Sequence, residues 1–213
     1  MPDRSLEKLR AGYARFLSGR YVDQQNLYGQ LGSGQSPHTM VIACADSRLD
    51  PVAIFDAKPG EVFEVRNVAN LVPPYEVDGG LHGVSAALEF AVGVLEVRTI
   101  IVLGHAGCGG ISACLAAADE GPVGEFIAPW VEIAAPARDR VLAAGSDRPA
   151  EELKKALEQE AIGESIDNLL TFPFVRNAVA DERLKLSGAW FEVATAQLQW
   201  RDPQTGLFSE ANE

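Results

Sequence analysis

Residues 83–103, GVSAALEFAVGVLEVRTIIVL, carry a helical pattern that runs directly into a strand pattern. From about residue 83 to residue 97 the apolar side chains recur at the spacing of one helical face: Val84, Leu88, Ala91, Val92 and Leu95. Residues 99–103, TIIVL, then form a β-branched and apolar run that is typical of a strand buried on both faces. A helix that leads into such a strand predicts a β–helix–β crossover.

Two further strands are predicted on the N-terminal side of this segment. Residues 40–43, MVIA, form a short apolar run that ends at Cys44, and residues 61–65, EVFEV, form a second β-rich run. Strands that alternate with helices and are too apolar to face water indicate a parallel sheet covered on both sides. The predicted fold class is therefore α/β, with a mostly parallel sheet of four to five strands and flanking helices.

Three further regions carry patterns of regular structure: a long helix, a C-terminal β segment and an N-terminal helix are predicted. Apolar residues at helical spacing between residues 153 and 170 predict a helix that ends near Pro173, because proline cannot continue the helical hydrogen bonds. Residues 186–198 return to β structure around a break at Gly188, and the turn-prone DPQTG at 202–206 predicts a terminal hairpin strand. An amphipathic N-terminal helix is predicted from Leu6, Leu9, Tyr13, Phe16 and Leu17. We expect one domain over residues 1–213, with an extending helical arm over about residues 1–30.

Composition and charge restrict the possible functions. At 213 residues and 47% hydrophobic, the chain is long enough to bury a sizeable core. A formal net charge of −12 argues against nucleic-acid and anionic-membrane partners, which leaves small-molecule chemistry or self-association. The first residues, MPDRSLEKLR, lack the apolar stretch of a signal peptide, and this predicts a cytoplasmic protein. Three cysteines, an odd number, fit metal ligands or core residues better than a disulfide framework.

Two chemically distinctive motifs follow two of the predicted strands. CADSR at 44–48 comes after the first strand, and HAGCGG at 105–110 comes after the strand at 99–103. In open α/β sheets the carboxyl ends of the strands border one crevice, so Cys44, His105 and Cys108 can converge there. Thiolate and imidazole are ligands that zinc prefers, and three protein ligands leave a fourth position for water, as in catalytic zinc sites.

A fourth protein ligand would change the kind of site, and two residues are candidates. Cys114 would close the zinc into a structural site, but on a helix that begins near Gly110 it is rotated roughly 240° from Cys108, which favours a buried core thiol. Asp46 can reach the metal through a carboxylate oxygen, or it can be held by Arg48 in a bidentate ion pair. From the residues alone, both arrangements of Asp46 remain open.

The paired motifs resemble those of the β-class carbonic anhydrases. The similarity extends over roughly Gln35 to Trp200 and includes GQSP ahead of the first motif, PGEVFEVRNVANLVPPY, SAALEFAV and TFPFV. It implies one zinc ion per chain, bound by Cys44, His105 and Cys108. It also implies the reversible hydration of carbon dioxide to bicarbonate and a proton by zinc-bound hydroxide.

The resemblance assigns roles to further positions. Asp46 and Arg48 correspond to a dyad beside the zinc-bound water, in which the carboxylate accepts a hydrogen bond and orients the nucleophile. Gln35 corresponds to a glutamine that, in the open-site members, donates a hydrogen bond to a substrate oxygen, and Phe63 lies where an apolar wall of the substrate pocket is expected. The residues themselves suggest a further role, because Gly109 and Gly110 lack a side chain that would intrude on metal and substrate, and an exposed backbone N–H there can bind a bicarbonate oxygen.

Two other functions fit parts of the same pattern. One is a hydrolase of carbonyl sulfide or carbon disulfide, which would have a similar zinc site that its substrate reaches by a different route. A non-catalytic zinc protein would have a closed site and would need neither Asp46, Arg48 nor Gln35. A nucleotide-binding domain is disfavoured because the sequence has no GxGxxG pattern.

Self-association is predicted from the N-terminal helix. This helix precedes the first strand without an obvious place in a single β–helix–β layer, and in the family that the sequence resembles it wraps over a partner subunit. The sequence therefore predicts a homodimer or an assembly of dimers.

Overall fold

The structure is a computed structural model that describes residues 4–77, 80–118, 121 and 124–210. The chain divides into two compact units, Met1–Ser36 and Pro37–Glu213, and the predicted N-terminal arm falls within the first of them. None of the described helices is long and apolar enough to cross a membrane.

The first unit consists of three helices: α1 (Ser5–Ser18), α2 (Arg20–Asp23) and α3 (Gln25–Leu31). Its centre is the ring of Phe16, which lies 6.3, 6.0 and 5.7 Å, between ring centroids, from Tyr13, Tyr21 and Tyr28. No residue of these three helices is buried. The amphipathic helix predicted from the sequence is confirmed; Leu6, Leu9, Tyr13 and Leu17 are exposed in the described chain, and Phe16 is half-buried.

The second unit is built on a mixed sheet. In the described residues it has six strands: β1 (Thr39–Cys44), β2 (Val62–Asn67), β3 (Thr99–His105), β4 (Lys185–Glu192), β5 (Gln197–Arg201) and β6 (Phe208–Glu210). Their order is β2-β1-β3-β4-β5-β6, with the first four parallel and the last two antiparallel. The predicted α/β class and mostly parallel sheet are confirmed, although six strands exceed the four to five expected.

The additional strand comes from the C-terminal segment. The sequence predicts β structure around a break at Gly188 and onward to residue 198, whereas β4 runs through Gly188 and ends at Glu192. A tight turn over residues 193–196 then separates β4 from β5, with Ala196 in the left-handed region at a φ of 58°. The turn includes Val193 and Thr195, both typical strand residues, and for that reason the sequence pattern does not indicate it. The predicted turn at 202–206 is confirmed, and it leads into β6.

Helices cover both faces of the sheet, and the sheet separates two apolar cores. They are α4 (Pro51–Ile54), α5 (Gly83–Gly93), α6 (Gly109–Ala116), α7 (Ile127–Val131), α8 (Ala135–Ala143), α9 (Ala150–Thr171) and α10 (Pro173–Ala180). Alternate residues of β1 enter opposite cores, because successive side chains of a strand point to opposite faces: Val41 and Ala43 in one, Met40 and Ile42 in the other. The strand is thus buried on both faces, as its apolar sequence predicts.

The long helix α9 approaches the sheet very closely. A Cβ atom at Gly188 would lie 2.7 Å from Cγ2 of Ile162, and one at Gly104 would lie 2.8 Å from Cδ1 of the same side chain. Both distances are shorter than real contacts between carbon atoms, so glycine in β3 and β4 allows α9 to sit this near. The close approach brings side chains of α9 to the carboxyl ends of these strands.

Candidate active site

Three potential metal ligands meet at the carboxyl edge of the sheet. Cys44 is the last residue of β1, His105 is the last residue of β3, and Cys108 directly precedes α6. Because β1 and β3 are parallel neighbours, with Ala43 opposite Leu103, their carboxyl ends lie side by side. The ligand atoms of the three residues all lie within 4.8 Å of one another, and the two sulfur atoms are 3.9 Å apart.

The chemistry of this donor group fits zinc. His105 is fully buried, and its Nδ1 lies 2.9 Å from the carbonyl oxygen of Ala106, to which it can donate. In that tautomer Nε2 is an acceptor, and it has no hydrogen-bond partner among the described residues. A buried acceptor without a partner is costly unless it binds something, and here it lies beside two buried thiols. Two thiolates and an imidazole nitrogen are a ligand set that zinc prefers.

The two thiols, those of Cys44 and Cys108, have pKa values that shift in opposite directions. A hydrogen bond from the Cys108 thiol lowers the pKa of Cys44 well below the usual range, against the opposing effect of burial. Donating that hydrogen bond, together with burial, raises the pKa of Cys108. Burial lowers the pKa of His105, but the neighbouring Cys44 thiolate more than offsets this and raises it overall. Zinc must therefore displace a proton from Cys108 when it binds, which makes its binding depend on pH.

A strained turn supports the Cys44 thiolate. Ala69 and Asn70 adopt left-handed backbone angles, with φ of 65° and 49°, which costs roughly 1–2 kcal/mol for each non-glycine residue. The side chain of Asn67 holds the turn by bonding both the N–H and the carbonyl oxygen of Leu71, each at 2.9 Å. The hydrogen bond from Cys108 is the main cause of the lowered pKa of Cys44, and the backbone of Ala69 adds a smaller effect in the same direction.

Helix α9 binds the end of this turn and the residues that follow it. The Ser165 hydroxyl, which is fully buried, accepts from the N–H of Val72 and donates to the carbonyl oxygen of Asn70, both at 3.3 Å. Asn168 donates to the carbonyl oxygen of Val72 at 2.9 Å. The helix therefore anchors the segment that follows the strained turn.

Asp46 is paired with Arg48. The guanidinium donates from Nε to Oδ1 at 2.9 Å and from Nη2 to Oδ2 at 2.7 Å, and the Arg48 backbone N–H also donates to Oδ1 at 2.9 Å. These bonds hold the pKa of the Asp46 carboxyl far below its usual range. Oδ2 nevertheless lies only 3.9 Å from Nε2 of His105, so the carboxylate borders the donor group while it is bound to Arg48.

The other alternative ligand, Cys114, lies outside the donor group. It is on α6, fully buried in an apolar core, and burial raises the pKa of its thiol. As predicted from its position on the helix, Cys114 is a buried core thiol and does not lie with the three metal ligands.

The remaining predicted site residues lie at different distances from the ligands. Gly109 is the first residue of α6, directly after Cys108, and a Cβ there would meet no other protein atom within 4 Å. Phe63 lies on β2 opposite Met40, which places it four strand positions, or about 13 Å, before the residue paired with Cys44. Its ring lies 5.9 Å from that of Phe90, between centroids. Gln35 is exposed and belongs to the N-terminal unit.

Two charged residues that were not predicted as site residues hold the metal-ligand loops by their backbone. Arg66 on β2 donates to the carbonyl oxygens of Cys44 at 3.1 Å, Asp46 at 2.8 Å and Leu49. Glu158 on α9 accepts the backbone N–H of Cys108 at 3.0 Å. A sequence signal existed for Glu158 because it lies four residues before Ile162, on the buried face of a predicted helix.

An α/β sheet with a buried Cys-His-Cys donor group at its carboxyl edge is typical of an α/β protein with a catalytic zinc site, because three protein ligands leave a fourth position open. A family model described as "Carbonic anhydrase" matches residues 39–198. Beta carbonic anhydrase 3 of Arabidopsis thaliana is 40% identical over 191 residues, which cover 88% of this chain and 73% of that protein. The chain belongs to the β-carbonic anhydrase family, whose members are zinc enzymes.

Solved structures agree with this assignment. The structure of the β-carbonic anhydrase CcaA matches with a TM-score of 0.91 at 28% identity, covering 99% of this chain and 94% of that one. A tetrameric β-carbonic anhydrase of Sordaria macrospora matches in fold, with a TM-score of 0.83 at 24% identity, covering 97% of this chain and 100% of that one.

Replacing Cys108 with alanine should abolish stable zinc binding. The change removes one of the three donors, and two protein ligands rarely retain zinc. Elemental analysis of purified Cys108→Ala should show only a small fraction of the wild-type zinc content. Cys114→Ala is the matched control, since it removes a buried thiol outside the donor group and should keep its zinc. Undiminished zinc in Cys108→Ala would refute the ligand assignment.

Proposed function

We propose that this chain catalyses the reversible hydration of carbon dioxide to bicarbonate and a proton. The observation that carries this proposal is the Cys44, His105 and Cys108 donor group with an ionised carboxylate, that of Asp46, beside it. Zinc bound by these three residues supplies a Lewis acid that lowers the pKa of a water molecule, so that a nucleophile is available near neutral pH.

Asp46 orients that nucleophile rather than removing its proton. Its pKa is held far below the usual range by Arg48, which makes the carboxylate a poor base but a permanent hydrogen-bond acceptor. Oδ1 already accepts two hydrogen bonds, whereas Oδ2 accepts one and faces the donor group. Oδ2 therefore has capacity to accept a hydrogen bond from an attacking water molecule, and this bond would direct the oxygen lone pair of the water towards carbon dioxide.

Arg48 fixes the carboxylate in this position. Its two-point contact sets both the distance and the plane of the Asp46 carboxylate, as bidentate pairs do. A further bond from Nη2 to the carbonyl oxygen of Gly107, at 3.0 Å, ties the guanidinium to the loop that carries Cys108. Arg48 thus links residues 44–48 to residues 105–110 by a hydrogen bond.

Carbon dioxide hydration should be rapid and zinc-dependent. Stopped-flow assays with a pH indicator should show catalysis by the purified protein, loss of catalysis after removal of zinc with a chelator, and recovery when zinc is restored. Circular dichroism of the zinc-free protein serves as the control for folding. Consumption of carbonyl sulfide without hydration of carbon dioxide would favour the hydrolase instead, and full hydration activity in verified zinc-free protein would contradict the proposal.

Arg48→Ala should retain zinc and lose at least about 100-fold in kcat/KM for hydration. Without the guanidinium, the Asp46 carboxylate is free to turn from a site 3.9 Å from His105 and bind the metal as a fourth ligand. Stopped-flow kinetics and elemental analysis measure the two effects separately. Arg140→Ala is the control, because Arg140 of α8 also makes two close ion pairs, with Glu160 and Glu164 of α9 at 2.7 Å each, but these pairs do not involve the metal ligands. Near-normal activity of Arg48→Ala would mean that the dyad has no essential role.

We further propose that the enzyme acts as a homodimer or an assembly of dimers. The N-terminal unit buries none of its helical residues, and α1 exposes Leu6, Leu9, Tyr13 and Leu17. An apolar stripe of this kind needs a partner surface, and a second copy is the simplest one. The β-carbonic anhydrases of Sordaria macrospora, which share this fold, are tetrameric, and this supports self-association of the chain.

The position of Phe63 is a second argument for assembly. The family resemblance places Phe63 in the substrate pocket, yet β2 holds it about 13 Å along the strand from the level of Cys44 in its own chain. We propose that Phe63, together with Gln35, serves the site of a neighbouring copy. Gln35 would then donate its amide hydrogen bond to a substrate oxygen there.

The protein should sediment as a dimer or a multiple of dimers at micromolar concentration. Leu9→Glu places a charge in the apolar stripe of α1 and should shift the population towards monomer, with reduced activity. Lys8→Glu is the control, since Lys8 is an exposed neighbour on the same helix outside the apolar stripe. Analytical ultracentrifugation distinguishes these states. A stable and fully active wild-type monomer would exclude the assembly.

A further inference from the structure

The peptide bond between Gly107 and Cys108 lies between two side chains of opposite charge. Its carbonyl oxygen accepts a hydrogen bond from Arg48 at 3.0 Å, and its N–H donates to Oε1 of Glu158 at 3.0 Å. In a trans peptide these two groups point in opposite directions, and the described chain has no cis peptide. A guanidinium and a carboxylate therefore bind opposite ends of one peptide dipole, and each strengthens the hydrogen bond of the other.

Glu158 is itself held firmly. It is only 3% exposed, and its second oxygen, Oε2, accepts the indole N–H of Trp190 at 3.1 Å. Trp190 is 1% exposed and lies on β4, so the carboxylate is fixed between a strand of the sheet and the metal-ligand loop. Both of its partners are pure donors, a combination that matches a carboxylate acceptor.

A purely structural role explains this residue poorly. Burying a carboxylate costs free energy that a hydrogen bond or two only partly returns, and an apolar side chain of similar volume would fill a core position at lower cost. The buried face of α9 is otherwise formed by apolar or small residues, which are Leu153, Leu157, Ala161, Ile162, Gly163, Ser165 and Leu169. An apolar residue could replace neither of the two hydrogen bonds that Glu158 accepts, and one of these bonds holds the backbone N–H of a metal ligand.

We propose that Glu158 is a positioning residue of the zinc site. It fixes the Gly107–Cys108 peptide and so sets the direction of the Cys108 sulfur. Through the same peptide it fixes the carbonyl oxygen that Arg48 binds, and hence the dyad with Asp46. The part that concerns Arg48 and Asp46 rests on the proposed function, whereas the part that concerns zinc binding does not.

Glu158→Gln tests the proposal with almost no change in volume. Glutamine has one acceptor oxygen for two donor partners, so its amide group must face either the Cys108 N–H or the Trp190 indole and lose that hydrogen bond. We expect zinc affinity, measured by competition with a chromophoric chelator, to fall about 10- to 100-fold. We also expect the thiolate-to-metal absorption bands of the cobalt-substituted protein to shift, which a loss of core stability alone would not produce.

Glu164→Gln is the matched control. Glu164 lies on the same helix and forms an ion pair with Arg140 at 2.7 Å, so the variant also loses a charged contact, but away from the metal ligands. Its zinc affinity and cobalt spectrum should equal those of the wild type. A folded Glu158→Gln protein with wild-type affinity and spectrum would overturn the proposal.

Trp190→Phe decides the matter if Glu158→Gln does not fold. It keeps the carboxylate and an aromatic ring but removes the indole donor that anchors Oε2, so zinc affinity should fall in the same direction by a smaller factor. Affinity equal to that of Glu164→Gln would then overturn the proposal. Weaker zinc binding in Glu158→Gln, combined with a wild-type protein that does not hydrate carbon dioxide, would refute the proposed function and leave this inference intact.

Discussion

The parallel pairing of β1 with β3 is the constraint on which the site depends. It places Ala43 opposite Leu103, so that Cys44 and His105 leave the sheet at the same edge, and Cys108 follows only three residues later. Both strands are buried, and the ligands at their ends are therefore buried as well. A buried imidazole acceptor without a hydrogen-bond partner is costly, and a zinc ion bound by it and the two cysteines would compensate for that cost.

The charged side chains around the site bind the backbone of the ligand-bearing loops and not the ligand side chains. Arg66 binds carbonyl oxygens of the loop after β1, Arg48 binds the carbonyl oxygen of Gly107, and Glu158 binds the N–H of Cys108. None of these three side chains donates a hydrogen bond to, or accepts one from, a cysteine sulfur or Nε2 of His105, so these atoms can serve as metal ligands. This division explains how an ionised Asp46 can lie 3.9 Å from His105 without being drawn into the donor group, because Arg48 offers it stronger partners.

Helix α9 connects the two halves of the site although it contributes no metal ligand. Glu158 contacts the Cys108 loop, while Ser165 and Asn168 hold the segment after the strained turn at Ala69. These contacts are within reach because glycine at two strand positions lets Ile162 approach the sheet. The geometry around Cys44 and the geometry around Cys108 are therefore set by one rigid element.

The sequence by itself determined the α/β class, the donor residues and the separation of Cys114 from them. Periodicity, motif spacing and helical rotation are local properties, and they are visible in a few neighbouring residues. Only the tertiary structure decided that Asp46 pairs with Arg48, that a turn divides β4 from β5, and that Glu158 holds Cys108. The bond from Arg48 to Gly107 spans 59 residues and the bond from Cys108 to Glu158 spans 50, so although the position of Glu158 on an apolar helix face indicates burial, the local pattern does not identify either bonding partner. A side chain such as Asp46 has more than one possible partner nearby in the sequence. The partner it binds depends on groups that only folding brings within hydrogen-bond distance.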